Sequence, residues 1–241
     1  MVKAVLFDVD FTIARPGPEL GPEGYERLGE RFGLELDPSR YAAARERAVE
    51  GIKRHPELEH DEEIWVAFTE RIVRGMGGDA DSAHDCAVAM TKAWEHAEHF
   101  ELYEDALPVL AELRAQGLKL GLVSNTGRDL EAFVAHHRLD VDAAIGSRAF
   151  GRTKPHPAIF GAVLDRIGVE PGDAAMVGDS PEDDIALRVA ELGSPDDRRD
   201  PELALAGERL RVDREPRFAL RGEDVQRVEV LVDEHLLSLG R

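Results

Sequence analysis

Apolar residues follow two different patterns along the chain. Residues 2–7 form a short, continuous apolar run that is rich in β-forming residues, which predicts a buried strand of a parallel sheet. Similar runs at 118–123, 141–145 and 174–178 predict three further strands. The helices predicted in the same part of the chain lie near residues 105–116, 128–137 and 157–167. This alternation predicts β-α-β units, in which ligands collect beyond the carboxyl ends of the strands.

The segment between the first predicted strand and residue 105 has the apolar periodicity of helices. Tyr25, Leu28 and Phe32 lie three and four positions apart, which places them on one helix face. The helices expected here lie near residues 22–32, 39–53, 60–76 and 80–99. No run between residues 15 and 104 predicts a strand. The sequence therefore predicts a helical module that is inserted after the first strand.

The charge balance and the apolar content narrow the possible partners. The 241 residues include 30 basic and 49 acidic side chains, and the formal net charge is −19. Because binding to phosphates needs a basic surface, this composition argues against a nucleic-acid partner. No apolar run reaches the roughly 20 residues that span a bilayer, and the chain start does not resemble a signal peptide, so we expect a cytoplasmic protein without a membrane partner. Cys86 is the only cysteine, which excludes an internal disulfide and a cysteine-rich zinc site.

Candidate chemistry lies where the predicted strands end. Asp8 and Asp10 follow the first strand and are two positions apart, so that both carboxylates point the same way and can share a metal ion. Ser124 and Asn125 follow the second strand in the sequence SNTG. This sequence offers a hydroxyl, an amide and backbone N–H groups to a phosphate. A phosphate-binding site at this edge of the sheet is one interpretation.

A lysine and a second acidic sequence extend this pattern. Lys154 lies in the loop sequence RTKPHP, whose prolines stiffen the loop. The last predicted strand is followed by GDSPEDD, which contains Asp179, Asp183 and Asp184. Each of these residues alone is also typical of a helix cap, a turn or a surface charge. Their joint occurrence at the ends of β-like runs favours one functional site.

Four short motifs resemble those of the haloacid dehalogenase-like hydrolase superfamily. They occur in order as FDVDFT, LVSNT, the pair Lys154-Pro155, and VGDSPEDDI. The helical insertion resembles the cap of the subfamily that includes phosphoglycolate phosphatase. The resemblance implies an α/β fold with a three-layer, Rossmann-like core around a parallel sheet. It also implies that residues 1–14 and 105–241 form this core, and that residues 15–104 form a helical cap inserted after the first strand.

The same resemblance implies a Mg²⁺-dependent phosphatase that hydrolyses a small phosphorylated metabolite through an aspartyl-phosphate intermediate. Asp8 would be the nucleophile, and Asp10 would protonate the leaving oxygen and then activate water. Lys154 would balance the charge of the phosphoryl oxygens as a catalytic residue. The residues implied to bind the phosphoryl group are Thr12, Ser124, Asn125 and Lys154. The residues implied to bind Mg²⁺ are Asp8, Asp10, Asp179 and Asp184, with Asp183 as the alternative to Asp184.

Other functions stay open at this point. A 2-haloacid dehalogenase would also use Asp8 as its nucleophile, but dehalogenases of this fold lack the second acid, because a halide leaves without a proton. A phosphomutase keeps both acids. Outside the enzymes, the pattern is also similar to a response-regulator receiver, which accepts a phosphoryl group on an aspartate. A degraded hydrolase fold that serves as an interaction module is the remaining alternative.

The last part of the chain departs from the family pattern. After Ile185 the Gly-Ala pair that is usual in the family is missing, and a polar stretch lies at 194–202. We expect a final core strand at 209–212. Apolar residues in 225–239 have helical spacing, which predicts an amphipathic helix.

Overall fold

A five-stranded sheet lies at the centre of the part of the chain that the structure describes. The structure is a computed structural model, and it describes residues 2–52, 55–79, 81–185 and 229–230. The strands are β1 (Ala4–Phe7), β2 (Ala14–Pro16), β3 (Phe100–Leu102), β4 (Lys119–Ser124), β5 (Ala143–Gly146), β6 (Ala174–Gly178) and β7 (Glu229–Val230). The α-helices are α1 (Pro22–Glu30), α2 (Tyr41–Glu50), α3 (Glu62–Gly75), α4 (Ala83–Ala93), α5 (Ala106–Ala115), α6 (Leu130–His137), α7 (Ser147–Phe150) and α8 (Pro157–Ile167).

The order of strands in the central sheet is β5-β4-β1-β6-β7. β1 pairs in parallel with β4 and β6, β4 pairs in parallel with β5, and β7 runs antiparallel to β6. Phe7, the last residue of β1, lies opposite Leu122 of β4 and Val177 of β6. The carboxyl ends of the three central strands therefore meet at one edge of the sheet.

Apolar side chains cover both faces of this sheet. Val5 and Phe7 belong to one buried cluster, which also contains Phe133 of α6. Ala4 and Leu6 belong to a second cluster, which α8 covers. Because successive side chains of a strand point to opposite faces, the sheet lies between two helical layers. The predicted three-layer α/β core with a parallel sheet is thus confirmed.

Helices α1 to α4 lie between β2 and β3, and α3 packs against both α2 and α4. β2 and β3 pair with each other in antiparallel fashion, with Arg15 opposite Glu101. The prediction that residues 15–104 contain no strand is therefore wrong at these two positions. Each strand has three residues, which is too short for alternation to be visible in the sequence. The division of the chain into a core and a separate cap stays a prediction.

The bounds of most elements agree with the sequence analysis. The strand at 174–178 and the helix at 157–167 have the predicted bounds. The helix expected at 80–99 instead ends at Ala93, and a short 3₁₀-helix follows at Ala97–His99. No helix among the described residues is long and apolar enough to cross a membrane.

The structure describes little of the chain after residue 185. Glu229–Val230 form the edge strand β7, so the prediction of a helix across 225–239 is wrong at these two residues. Val228, Val230 and Val232 alternate with other residues in the sequence, and such a β-branched alternation favours a strand. The other residues of that segment lie outside the described part of the chain, as do the polar stretch 194–202 and the predicted strand 209–212.

Asp142 joins the start of β5 to β4 and α5. Its carboxylate accepts hydrogen bonds from the backbone N–H of Leu120 at 2.8 Å and from Arg114 at 2.6 Å. Burial opposes ionisation, but these donors outweigh it and hold the pKa of Asp142 below its ordinary value. A carboxyl with a lowered pKa stabilises the fold above its unfolded pKa of about 4, and this contribution is lost as the pH falls.

We expect Asp142→Asn to lower the free energy of unfolding at neutral pH by about 1–2 kcal/mol. The difference from the unchanged protein should shrink below about pH 4, and urea unfolding at both pH values measures it. The control is Asp140→Asn, because Asp140 is 81% exposed and contacts the same arginine. The control should change stability by less than about 0.5 kcal/mol. Equal stability of Asp142→Asn and the unchanged protein at neutral pH would contradict this prediction.

Candidate active site

The ends of three parallel strands bring the predicted polar residues to one edge of the sheet. Asp8 follows β1, Ser124 is the last residue of β4, and Asp179 follows β6. The register of the sheet aligns these ends. Asp8 and Ser124 are both buried. Polar groups that lie this deep need partners inside the protein or in a ligand.

Lys154 enters this edge from the loop before α8. Its Nζ donates hydrogen bonds to Oδ1 of Asp8 and to Oδ1 of Asp184, each at 2.6 Å. Lys154 is 3% exposed and Asp184 is 1% exposed. Burial alone would lower the pKa of Lys154, but the two carboxylates outweigh it and raise that pKa above its ordinary value. The positive form of the lysine is therefore favoured between the two acids.

Three carboxylates lie together at this edge of the sheet. Asp8, Asp179 and Asp184 each have a carboxylate oxygen within 4.8 Å of the other two. Burial and repulsion from the other two carboxylates raise the pKa of Asp179 to about 7. Burial also raises the pKa of Asp184, although Lys154 opposes this change. Because the three acids lie close together and offer hard oxygen ligands, this group fits a Mg²⁺ ion.

Asp184, and not Asp183, belongs to the group of three carboxylates. Its Oδ2 accepts a hydrogen bond from the backbone N–H of Ser180 at 3.0 Å, and its own N–H donates to the carbonyl of Ser180 at 2.8 Å. Gly178 lies so close that an added Cβ would be 2.0 Å from Oδ2 of Asp184. The glycine is therefore required for the carboxylate to reach this position.

Asn125 holds the backbone of Lys154. Its Oδ1 accepts a hydrogen bond from the N–H of Lys154 at 2.6 Å, and its Nδ2 donates to the carbonyl of Lys154 at 3.1 Å. Both polar atoms of the side chain thus position the lysine loop. No local pattern in the sequence indicates this role of Asn125, because the two residues lie 29 positions apart in the chain.

Thr12 lies in the loop after β1. The loop turns sharply, with a positive φ of 63° at Phe11. The Oγ1 atom of Thr12 is buried and has no hydrogen-bond partner among the described residues. A buried hydroxyl without a protein partner is available to an oxygen of a ligand.

Asp10 contacts a different cation, Arg128. Its Oδ1 accepts a hydrogen bond from Nη2 of Arg128 at 2.5 Å. Burial raises the pKa of Asp10 above its ordinary value, and Arg128 opposes this rise. Sequence reasoning missed Arg128. The signal available was its place in the loop SNTGRD directly after the end of β4.

A family model for haloacid dehalogenase-like hydrolases matches residues 2–191. The chain belongs to this family. The resemblance seen in the four motifs is therefore confirmed, and the protein is a hydrolase of the haloacid dehalogenase-like family. The site described above occupies the ends of strands in the matched region.

Relatives of this hydrolase include proteins with different names. A phosphoserine phosphatase of Thermus thermophilus is 30% identical over 211 residues, which cover 76% of this chain and 83% of the relative. A phosphoglycolate phosphatase of Rhodospirillum rubrum is 32% identical over 204 residues, which cover 79% of this chain and 77% of the relative. A 2-haloacid dehalogenase structure from Pseudomonas syringae is 27% identical, with a TM-score of 0.50 and coverage of 80% and 84% of the two chains. Since phosphatases and dehalogenases share this fold, the two activities must be distinguished by the residues of the site.

Because Gly178 lies so close to Asp184, a substitution of the glycine tests whether the position of the Asp184 carboxylate matters for activity. We expect Gly178→Ala to displace the Asp184 carboxylate, which would weaken Mg²⁺ binding and lower activity by at least about tenfold. Isothermal titration with Mg²⁺ and steady-state hydrolysis of an aryl phosphate measure the two effects.

The matched control is Gly161→Ala in α8, where an added Cβ meets no atom within 4 Å. Alanine inside a helix is favoured over glycine by up to about 1 kcal/mol, so this control should keep its activity and gain stability. Full Mg²⁺ affinity in Gly178→Ala would show that Asp184 does not depend on this close approach.

Proposed function

We propose that this hydrolase is a Mg²⁺-dependent phosphatase that acts on a small phosphorylated metabolite. The observation that carries the proposal is the pair of acids at the end of β1, in which Asp8 contacts Lys154 and Asp10 contacts Arg128. A phosphate ester leaves as an oxygen that needs a proton, whereas a halide does not. A second acid beside the nucleophile therefore favours phosphate esters over haloacids. The names of the two relatives support the same substrate class.

Asp8 begins the reaction as the nucleophile. Lys154 bonds its Oδ1, and an oxygen of this carboxylate attacks phosphorus in line with the leaving group. The bond between phosphorus and the ester oxygen breaks as the new bond to Asp8 forms. Asp10 gives its proton to the departing oxygen, so that an alcohol leaves and the phosphoryl group stays on Asp8.

Water completes the reaction. Asp10, now ionised, takes a proton from a water molecule that attacks the phosphoryl group. The bond between phosphorus and Asp8 breaks, inorganic phosphate leaves, and Asp10 is protonated again. Lys154, the hydroxyl of Ser124 and the hydroxyl of Thr12 balance or bond the phosphoryl oxygens in both steps. Asn125 supports them by holding the lysine loop.

The metal ion would be held by the chain's own oxygen atoms. Asp8, Asp179 and Asp184 would provide carboxylate oxygens, and Asp10 would provide its backbone carbonyl. When bound, Mg²⁺ neutralises phosphoryl charge and offsets the repulsion among the acids. We also assign the helical segment 15–104 as a cap, whose two connections to the core are the paired strands β2 and β3.

Removal of the metal ion tests the first part of the proposal. We expect a chelator to abolish hydrolysis of an aryl phosphate, Mg²⁺ to restore it, and Ca²⁺ to inhibit, because calcium's larger and looser ligand shell disturbs in-line attack. Asp179→Asn should weaken Mg²⁺ binding and lower activity together. Asp140→Asn, on an exposed aspartate, is the control and should retain both. Full activity in the presence of chelator would contradict a role for the metal.

The roles of the two acids give a second test. We expect Asp8→Asn to abolish both turnover and covalent phosphorylation, because a neutral amide does not attack phosphorus. Asp10→Asn should lower turnover by on the order of 10² to 10⁴, and the loss should be smaller for phosphorylation by an aryl phosphate, whose leaving group needs no proton. Rapid-quench mass spectrometry of Asp10→Asn should detect a phosphorylated peptide that contains Asp8.

Other outcomes of this experiment separate the alternatives. Full activity of Asp10→Asn with alkyl phosphates would refute the role of Asp10 as acid and base. Continuous release of inorganic phosphate distinguishes a phosphatase from a phosphomutase, which transfers the group back to its product. A stable phosphoprotein in the unchanged chain would instead favour a phosphoacceptor.

A further inference from the structure

Arg128 is a buried cation without a task in the scheme above. Its side chain is 1% exposed, and a buried guanidinium is costly unless it is paired and hydrogen-bonded. Nη2 donates to Oδ1 of Asp10 at 2.5 Å, and Nη1 donates to the backbone carbonyl of Trp94 at 3.5 Å. The fold therefore keeps a charged arginine directly beside the second acid.

Aromatic packing fixes the guanidinium. Its Cζ lies 3.6 Å from the centre of the Phe100 ring and 5.2 Å from the centre of the Phe133 ring. Arginine stacks on aromatic faces through its planar guanidinium, which lysine lacks. At the other end of the residue, the backbone N–H of Arg128 donates to Oγ1 of Thr126 at 3.1 Å. Both ends of Arg128 are thus held in place.

The two buried cations contact different carboxylates. Lys154 donates to Asp8 and Asp184, whereas Arg128 donates to Asp10. Arg128 bonds Oδ1 of Asp10, and no donor among the described residues contacts Oδ2 of Asp10. One oxygen of the acid is therefore anchored, and the other is available to exchange a proton.

We infer that Arg128 is the positioning residue of Asp10, and that it directs the second carboxylate oxygen toward the leaving group and the attacking water. This inference rests on the proposed function, because it needs Asp10 to be the acid and base. Arg128 itself forms and breaks no covalent bond in this role. Its loss should therefore lower turnover more than substrate binding, and it should act through Asp10 alone.

The test compares Arg128→Met, Arg128→Lys and the unchanged chain with one alkyl phosphate and one aryl phosphate. Arg128→Met should lower kcat for the alkyl phosphate on the order of ten- to a hundredfold, with little change in KM. The loss of phosphorylation rate with the aryl phosphate should be smaller. Arg128→Lys keeps the charge and should recover part of the loss. The control is Arg114→Met, because Arg114 pairs with Asp140 and Asp142 at the opposite end of the strands, and its kcat should be unchanged.

A double-mutant cycle with Asp10→Asn tests whether Arg128 acts through Asp10. In that background, Arg128→Met should change kcat for the alkyl phosphate by less than about twofold, since the residue through which it acts is gone. An equal loss in both backgrounds would overturn the inference and leave Arg128 a general structural residue. Full activity of Asp10→Asn alone would instead refute the acid-base role of Asp10 on which the inference rests. Absence of phosphate release by the unchanged chain would refute the proposed function, so these failures are distinguishable.

Folding of the variants is checked by circular dichroism and thermal unfolding. If Arg128→Met does not fold, the same cycle is run with Arg128→Lys, which retains the buried cation. A loss of kcat that disappears in the Asp10→Asn background supports the inference in this form too. The inference would be overturned if Arg128→Lys kept the kcat of the unchanged chain and a crystal structure of this variant showed the Asp10 carboxylate in the same position. The geometry of the arginine would then not be required.

Discussion

The charge of three clustered acids, two of which contact Lys154, is the constraint on which this site depends. Asp8, Asp179 and Asp184 lie within 4.8 Å of one another, and like charges at such distances repel strongly inside a protein. One lysine offsets only part of this charge. Asn125 holds the lysine loop through both of its polar atoms. The acidic charge that Lys154 does not offset would favour a further cation at this site.

Asp8 and Asp10 contact separate cations. They lie two residues apart on one strand end, yet Lys154 contacts the first and Arg128 the second. The two acids still influence each other, because repulsion from Asp8 contributes to the raised pKa of Asp10. Different surroundings give two neighbouring carboxyl groups different tasks. The two cations come from different loops: Arg128 from the loop between β4 and α6, and Lys154 from the loop before α8.

Local patterns in the sequence were sufficient for the sheet and for most helices. β1, β6 and α8 could be predicted because their apolar patterns span only a few neighbouring residues. The parallel pairing of the strands could be predicted because helices alternate with them along the chain. β2 and β3 could not, since each is defined by pairing with a partner on the far side of the helical segment. Arg128 and the positioning task of Asn125 were missed for the same reason: Asp10 lies 118 residues from Arg128 along the chain, and no local spacing encodes that contact.

The helical segment contributes directly to the framework of the site. The carbonyl of Leu58 accepts a hydrogen bond from the N–H of Thr153, at 2.8 Å, next to Lys154. The carbonyl of Trp94 accepts one from Arg128. Both loops that deliver a buried cation are thus bonded to backbone atoms between β2 and β3. Because moving these helices relative to the sheet would strain or break bonds to both cation-bearing loops, their placement and the charge balance at Asp8 and Asp10 are physically linked.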